Sequence, residues 1–453
     1  MEKLKYKLWI CLFIALTTSS CRKYVEVDQY DQRTLKYTDD YQFVINNRSN
    51  FESTYILPQV TSDDIATLDV SQQASWNSEY KAAYIWSSNY YGDAQTDIGW
   101  TNLYKQIYVC NEVTTGVMSS LNGTEVQKKR IYGEALVHRA FAYLALVNQY
   151  GEIYNPSNAN SQVGVPLLLK PNLFQKLDRA SVKEIYDQII KDTEEAIPSL
   201  PNLGSHNGHP GKVSAYALLS RCYLFMRNFK LSGEYADKAL ELKNSLNNLE
   251  TFIGNTSSFP RKLDDPEIIL SKTAAGQFQT QLNPKLIDLF DRTSKNGDLR
   301  YELFTATSVN GIPGSAYIRP RFTFEGVYTG LGVPELMLNR AEVYAREGNL
   351  AKTLELLNKL RENRFRSGYP TLSITNPADL LPAVINERRR EFMGTGFRWF
   401  DQRRLSLDAD FAKPVIRTFD GVDYTLAPGS NLYIYPVAQA VLELNPEIKQ
   451  SPR

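Results

Sequence analysis

Cysteine is scarce in this chain of 453 residues: there are four, alongside three histidines. Two of the cysteines, Cys11 and Cys21, fall at the N-terminus, and the two that remain, Cys110 and Cys222, are too few for a disulfide framework to be the source of stability. Three histidines with no neighbouring cysteine or carboxylate pattern argue against a metal centre. Beyond residue 20 no run is apolar enough to approach the roughly 20 residues that span a bilayer as a helix. An excess of one charge is missing too: 51 Lys and Arg balance 50 Asp and Glu, for a formal net charge of +1. Such a balance gives no electrostatic reason to expect nucleic acid or an anionic lipid surface as partner. G-x-S-x-G, H-E-x-x-H and Walker sequences are all absent, so no hydrolase elbow, zinc-protease or nucleotide signature is present. No cofactor is expected.

What is present begins at the N-terminus. Lys3, Lys5 and Lys7 precede an apolar run from Leu8 to Leu16, then Thr17, Thr18, Ser19, Ser20 and Cys21. A basic segment, a short apolar segment and small residues before a cut site make a secretory signal peptide over residues 1–20. A cysteine directly after the small residues turns the expectation toward a lipoprotein, with Cys21 as the acylated thiol. Thr18 stands where the usual lipobox has leucine. Two or three acyl chains on one cysteine suffice for stable membrane anchoring. Cys110 and Cys222 fall within apolar helical patterns and read as small buried hydrophobes.

Most of the chain carries helical periodicity, so the expected fold is mainly α. Thr124 with Gln127, and Ser181 with Glu184, form capping-box patterns ahead of apolar stripes. Gly151 and Pro198 close the two helices. Trp100, Leu103, Tyr104, Ile107, Cys110, Val113 and Val117 line another, and Asn376-Pro377 opens one that runs toward Gly394. Strand-like alternation is limited to Ile268–Thr273, Tyr317–Phe324 and Leu432–Tyr435. Stretches of roughly 25–96 and 249–332 are irregular but aromatic-rich, and read as ordered long loops. Ser220, Tyr223, Phe229, Ala239 and Leu240 fit a degenerate tetratricopeptide pattern, and Ala341, Tyr344, Gly348 and Leu350 repeat its spacing. The expected organisation is one domain over 21–453, with helical-hairpin scaffold at roughly 97–245 and 333–405.

Five blocks in order resemble the SusD/RagB family of outer-membrane nutrient-binding lipoproteins. They are GEALVHRAFAYLALVNQYG (133–151), GKVSAYALLSRCYLFMRNFKLSGEYADKAL (211–240), DLRY (298–301) with VPELMLNRAEVYAREG (333–348), INERRREFMGTGFRWFDQR (385–403) and LYIYPVAQAVLELNP (432–446). Met393–Gly396 departs from the family by replacing a glutamate before the glycine, and Tyr435 and Ala438 vary the closing proline pattern. The resemblance implies a SusD-like fold: a tetratricopeptide-like helical-hairpin scaffold, long irregular ligand-binding loops and a few short strands. It also implies an oligosaccharide ligand, a SusC-like TonB-dependent transporter as partner, and an outer-membrane location facing the cell exterior.

The cluster Glu387, Arg388, Arg389, Arg390, Glu391, Arg398, Asp401, Arg403 and Arg404 interleaves both signs, which points to structural ion pairs rather than a phosphate patch. Gly394-Thr395-Gly396 is expected to be a turn. His206 and His209, in a Pro/Gly loop, have no further ligand pattern. The best ligand candidates are aromatics in the irregular stretches: Trp76, Tyr80, Tyr84, Trp86, Tyr90 and Tyr91, with Asp63, Asp64, Asn77 and Asn89 nearby. Tyr317, Arg319 and Tyr328 are expected to complete the site. A sugar ring stacks its C–H face on an indole or phenol while amides and carboxylates bind its hydroxyls. The expectation is a non-enzymatic glycan-binding lipoprotein. Its competitors are a RagB-like peptide- or protein-binding helical-repeat lipoprotein and a surface glycoside hydrolase.

Overall fold

The computed structural model describes residues 35–274, 279–292, 297–309 and 311–453. The expected signal peptide over residues 1–20 and the expected acylation site Cys21 lie outside these residues. Among them the chain forms seventeen α-helices and eight short strands.

The first irregular stretch contains α1 (Thr38–Ile45), α2 (Arg48–Phe51), α3 (Leu57–Thr61), α4 (Val70–Ser75) and α5 (Ser78–Tyr84). Long loops were expected there. The helices are too short to show a 3.6-residue period, and local caps start them. Asn47 accepts from the Asn50 N–H (3.3 Å), Asp69 from Gln72 (2.8 Å) and Asn77 from Tyr80 (2.7 Å).

The scaffold follows with α6 (Ile98–Gly116), α7 (Glu125–Tyr150), α8 (Val182–Ala196), α9 (Lys212–Phe225) and α10 (Phe229–Leu242). Both predicted capping boxes form, at Thr124/Gln127 and Ser181/Glu184. From Gly133 to Val147 every residue of α7 is buried, because neighbours pack on all its sides. Cys110 and Cys222 are free and buried, as read from the apolar pattern.

Beyond residue 280 come α11 (Pro284–Ile287), α12 (Leu299–Phe304), α13 (Val333–Arg346), α14 (Leu350–Arg361), α15 (Leu380–Glu391), α16 (Phe397–Leu405) and α17 (Gln439–Leu444). The two repeat hairpins are α9–α10 and α13–α14. Gly348 turns the second with φ +70°, and Arg227, at the matching position of the first, adopts φ +62°. Left-handed backbone is costly for a side chain other than glycine. Here the guanidinium of Arg227 holds the carboxylate of Asp408 at 2.8 and 3.0 Å, fixing the turn from outside.

The strands form four two-stranded antiparallel pairs: β1 (Val163–Pro166) with β2 (Arg179–Ser181), β3 (Ile268–Leu270) with β6 (Leu331–Gly332), β4 (Thr305–Val309) with β5 (Ile312–Tyr317), and β7 (Val415–Phe419) with β8 (Val422–Leu426). Two of the three expected strands need correction. Residues 319–321 make a 3-10 turn rather than extending a strand to Phe324, because Pro320 removes a ladder donor. Leu432–Tyr435 is likewise opened by a 3-10 turn at Asn431–Tyr433, which Ser430 caps.

The interleaved charges on α15 and α16 form a buried lattice. Glu387 accepts from Arg300 (2.7 Å), Arg361 (3.1 Å) and Arg390 (2.5 Å). Arg364 reaches Glu267 and Glu391, while Arg404 pairs with both Glu342 and Asp401. Gly394 (φ +70°) and Gly396 (φ +89°) make the expected turn between the helices. A Cβ on Gly396 would sit 2.9 Å from the Gln59 nitrogen, so the turn also needs glycine for close approach to α3.

Candidate ligand-binding site

The aromatic cluster predicted to face ligand is core. Trp76, Tyr84, Trp86, Tyr90 and Tyr91 are all buried. Trp76 packs edge-on against Tyr84 (5.0 Å between centroids) and near Phe419 (6.1 Å). The indole N–H of Trp86 donates to the Thr61 carbonyl at 3.0 Å, and its ring lies 4.5 Å from the Arg417 guanidinium. Tyr90 meets Tyr435 edge-on, and the Tyr91 hydroxyl donates to Asp97. These rings fasten the first stretch to the scaffold, so none offers a face to a sugar. Tyr80 is half-buried against the same core. Of the amides, Asn77 is spent as a helix cap, and the Asn89 side chain holds the Tyr91 backbone.

Asp63 and Asp64 are engaged by arginines. Arg398 grips Asp63 through Nε (2.6 Å) and Nη2 (3.0 Å), and Arg389 holds Asp64 at 2.7 Å. Burial tends to raise both carboxyls. Arg398 and Arg389 outweigh it at Asp63, whose pKa falls well below the ordinary carboxylate range. Asp64 feels burial most and has charged Asp63 beside it, and it is pushed up to about 6.

The structure does bring Tyr317, Arg319 and Tyr328 together. They line one narrow cleft of about 40 Å³ with Lys262, Asp265 and Thr273. Thr273 is the junction. Its backbone bridges both Ser53 and Tyr328, joining the two irregular stretches at the cleft. The carbonyls of Leu270 and Leu331 hold the Tyr328 hydroxyl, so its ring is fixed in place. Arg319 lies 5.1 Å from each of the Phe259 and Phe304 rings and 3.9 Å from the Asp265 carboxylate. Lys262 pairs with Glu52 at 2.8 Å, and its backbone N–H donates to Glu325 at 2.9 Å. The polar groups of the cleft are therefore mostly preorganised by partners.

Phe324 was not singled out by the sequence. It stands between two residues that line the cleft, Thr323 and Glu325, and is 88 % exposed with φ +56°. A bulky side chain in this region of backbone space is uncommon and strained. Nothing in the local sequence marks it, since an exposed phenylalanine and a buried one read alike.

Among the described residues no group of three or more His, Cys, Asp or Glu is placed to hold a metal ion. His209 bonds Glu134 at 2.8 Å, and His206 lies edge-on to His209.

The chain is mainly helical, with paired hairpins and a cleft lined by an irregular stretch. Comparison with known proteins identifies the class: the chain belongs to the SusD family. A family model described as starch-binding and associating with the outer membrane matches residues 23–224, and a second SusD family model matches residues 333–453, together more than half the chain. A SusD-like protein of Formosa agariphila is 23 % identical over 354 residues, covering 62 % of this chain and 68 % of the relative. A SusD superfamily structure from Bacteroides thetaiotaomicron superposes with a TM-score of 0.72 at 18 % identity, over 92 % of this chain and 100 % of that one. A SusD-like carbohydrate-binding protein from Bacteroides vulgatus gives 0.66 at 22 % identity, over 91 % and 97 %. A laminarin-binding SusD-like protein gives 0.63 at 18 % identity, over 92 % and 99 %. These likenesses show the SusD-like fold. No described helix is long and apolar enough to cross a membrane.

Proposed function

We propose that this protein is an outer-membrane lipoprotein, anchored through Cys21 and facing the cell exterior, that binds oligosaccharide and passes it to a SusC-like TonB-dependent transporter. The binding site in this reading is the cleft of Tyr317, Arg319 and Tyr328, with Phe324 as the stacking ring at its edge. The observation that carries it is Phe324 itself. An aromatic side chain held almost wholly in water on left-handed backbone is unfavourable for folding alone, and a ligand that covers the ring would offset that cost. The protein captures its ligand without cleaving it.

Affinity electrophoresis against a polysaccharide panel, followed by calorimetry, tests this. A bound glycan is expected, and Phe324→Ala should weaken it about tenfold, near 1.4 kcal/mol, with an unchanged melting temperature. Unchanged affinity removes Phe324 from the site. Affinity for peptides alone would replace the glycan reading, and release of reducing sugar would replace the non-catalytic one.

The anchor is tested separately by metabolic labelling with a fatty-acid analogue. Label is expected on the wild type and not on Cys21→Ala, which should leave the membrane fraction.

A further inference from the structure

A second cleft, of about 400 Å³, opens beside α16. Arg398 and Gln402 lie four residues apart and so share one face of that helix, and both line the cleft. Each has a donor left over. Arg398 spends Nε and Nη2 on Asp63, which fixes the guanidinium plane, while its Nη1 makes no hydrogen bond among the described residues. Gln402 is 6 % exposed; its Oε1 accepts from the Asp63 N–H at 3.0 Å, and its Nε2 has no partner among the described residues. A buried amide donor without an acceptor is unfavourable, and such groups normally meet a partner or ordered water.

The remaining polar lining has the same bias. Lys285 and Lys413 are exposed and form no ion pair among the described residues, and only Asp410 offers an uncommitted carboxylate. The Asp63 charge is already shared between Arg398 and Arg389. Phe411, Pro414 and Pro428 supply apolar surface to the same cleft. Surplus N–H donors, two unpaired ammonium groups and an apolar wall together suit a ring that carries an anion.

We propose that this second cleft binds an anionic sugar unit, whose carboxylate or sulfate ester is held by Arg398 Nη1 and Gln402 Nε2 and attracted by Lys285 and Lys413. The inference rests on the saccharide-binding reading above and adds a substrate class to it.

Calorimetry on the anchored chain in detergent tests it with three probes: an oligogalacturonate, a sulfated galactan oligosaccharide and a neutral galactan oligosaccharide of equal length. One acidic probe is expected to bind at least about tenfold tighter than the neutral one, with affinity falling as salt is raised. Which acidic probe binds distinguishes carboxylate from sulfate. Lys285→Met with Lys413→Met, both solvent-exposed and harmless to folding, should remove that preference and leave neutral binding unchanged. Gln402→Leu should lower acidic affinity while circular dichroism stays native. Equal binding of all three probes, or an acidic preference that survives the double lysine variant, overturns the proposal. In those cases the Phe324→Ala measurement still reports on saccharide binding itself. Binding of no saccharide at all overturns both.

Discussion

Glu387→Ala is expected to destabilise the fold by about 3–5 kcal/mol, the usual cost of stripping one partner from a buried ion pair. The carboxylate is completely buried and accepts from Arg300, Arg361 and Arg390 at once. Burial by itself would raise its pKa. The three guanidiniums, Arg300 foremost, more than reverse this and hold it far below the ordinary glutamate value. Removing it leaves three cations facing one another away from water, with Glu391 to compensate Arg300 and Asp298 shared between Arg300 (2.6 Å) and Arg390 (3.9 Å). Urea unfolding monitored by tryptophan fluorescence measures the loss. The pH dependence has a definite sign. A carboxyl whose pKa is depressed by folding contributes stability above its unfolded value near 4.5, and that contribution fades as pH falls below it. Wild type should therefore lose stability below about pH 4.5, and the variant should lose less over the same range. A change below 1 kcal/mol at neutral pH would mean that the lattice relaxes around the loss.

The second large effect concerns Lys272, which is fully buried and, among the described residues, forms no ion pair with a carboxylate. Its ammonium donates to the Phe51 carbonyl and to His138 Nδ1 (3.2 Å), and sits 4.8 Å from the Phe141 ring. Burial is the main reason its pKa falls to about 7. Between pH 7 and 10 the unfolded chain keeps the lysine proton that the folded chain releases, so stability rises with pH in that window, by about 1.4 kcal/mol per unit. Below pH 7 the penalty is present in full. Above pH 10 the many buried tyrosines, whose pKa values folding raises, reverse the slope. Lys272→Met removes the titrating group. It should be more stable than wild type at pH 7, and the difference should shrink by about 2–3 kcal/mol at pH 9. Parallel pH profiles for the two proteins would place the lysine in contact with water.

Much of the scaffold was legible because its signals are local. Thr124, Gln127, Ser181 and Glu184 sit within one turn of each other, and the hairpin spacing repeats between Tyr223 and Tyr344. The charged lattice was legible as structural from its alternating signs, though not its partners Arg300, Arg361 and Glu267, which arrive from other segments. The aromatic stretch misled for a definite reason. Aromatics interleaved with Asn and Asp describe a sugar site, but they equally describe a set of helix caps laid over a core. Asn77 and Asp97 turned out to be caps, and the surface that buries Trp76 and Trp86 comes from Phe419 and Arg417 near the other end of the chain. Tyr317, Arg319 and Tyr328 line one cleft, as three residues close in sequence can. The exposure of Phe324 was not legible, because exposure is decided by what fails to pack on a ring, and the ring itself carries no mark of that.

The bridges from Thr273 to Ser53 and to Tyr328 tie the cleft to a segment far away in the chain. The Thr54 N–H and hydroxyl both bond the Thr273 carbonyl across a separation of 219 residues. A nascent chain that has completed α9 and α10 still lacks every residue that lines the cleft, and closing so long a loop is entropically slow. The cleft is therefore a property of the chain folded through Tyr328, and no shorter N-terminal piece contains it.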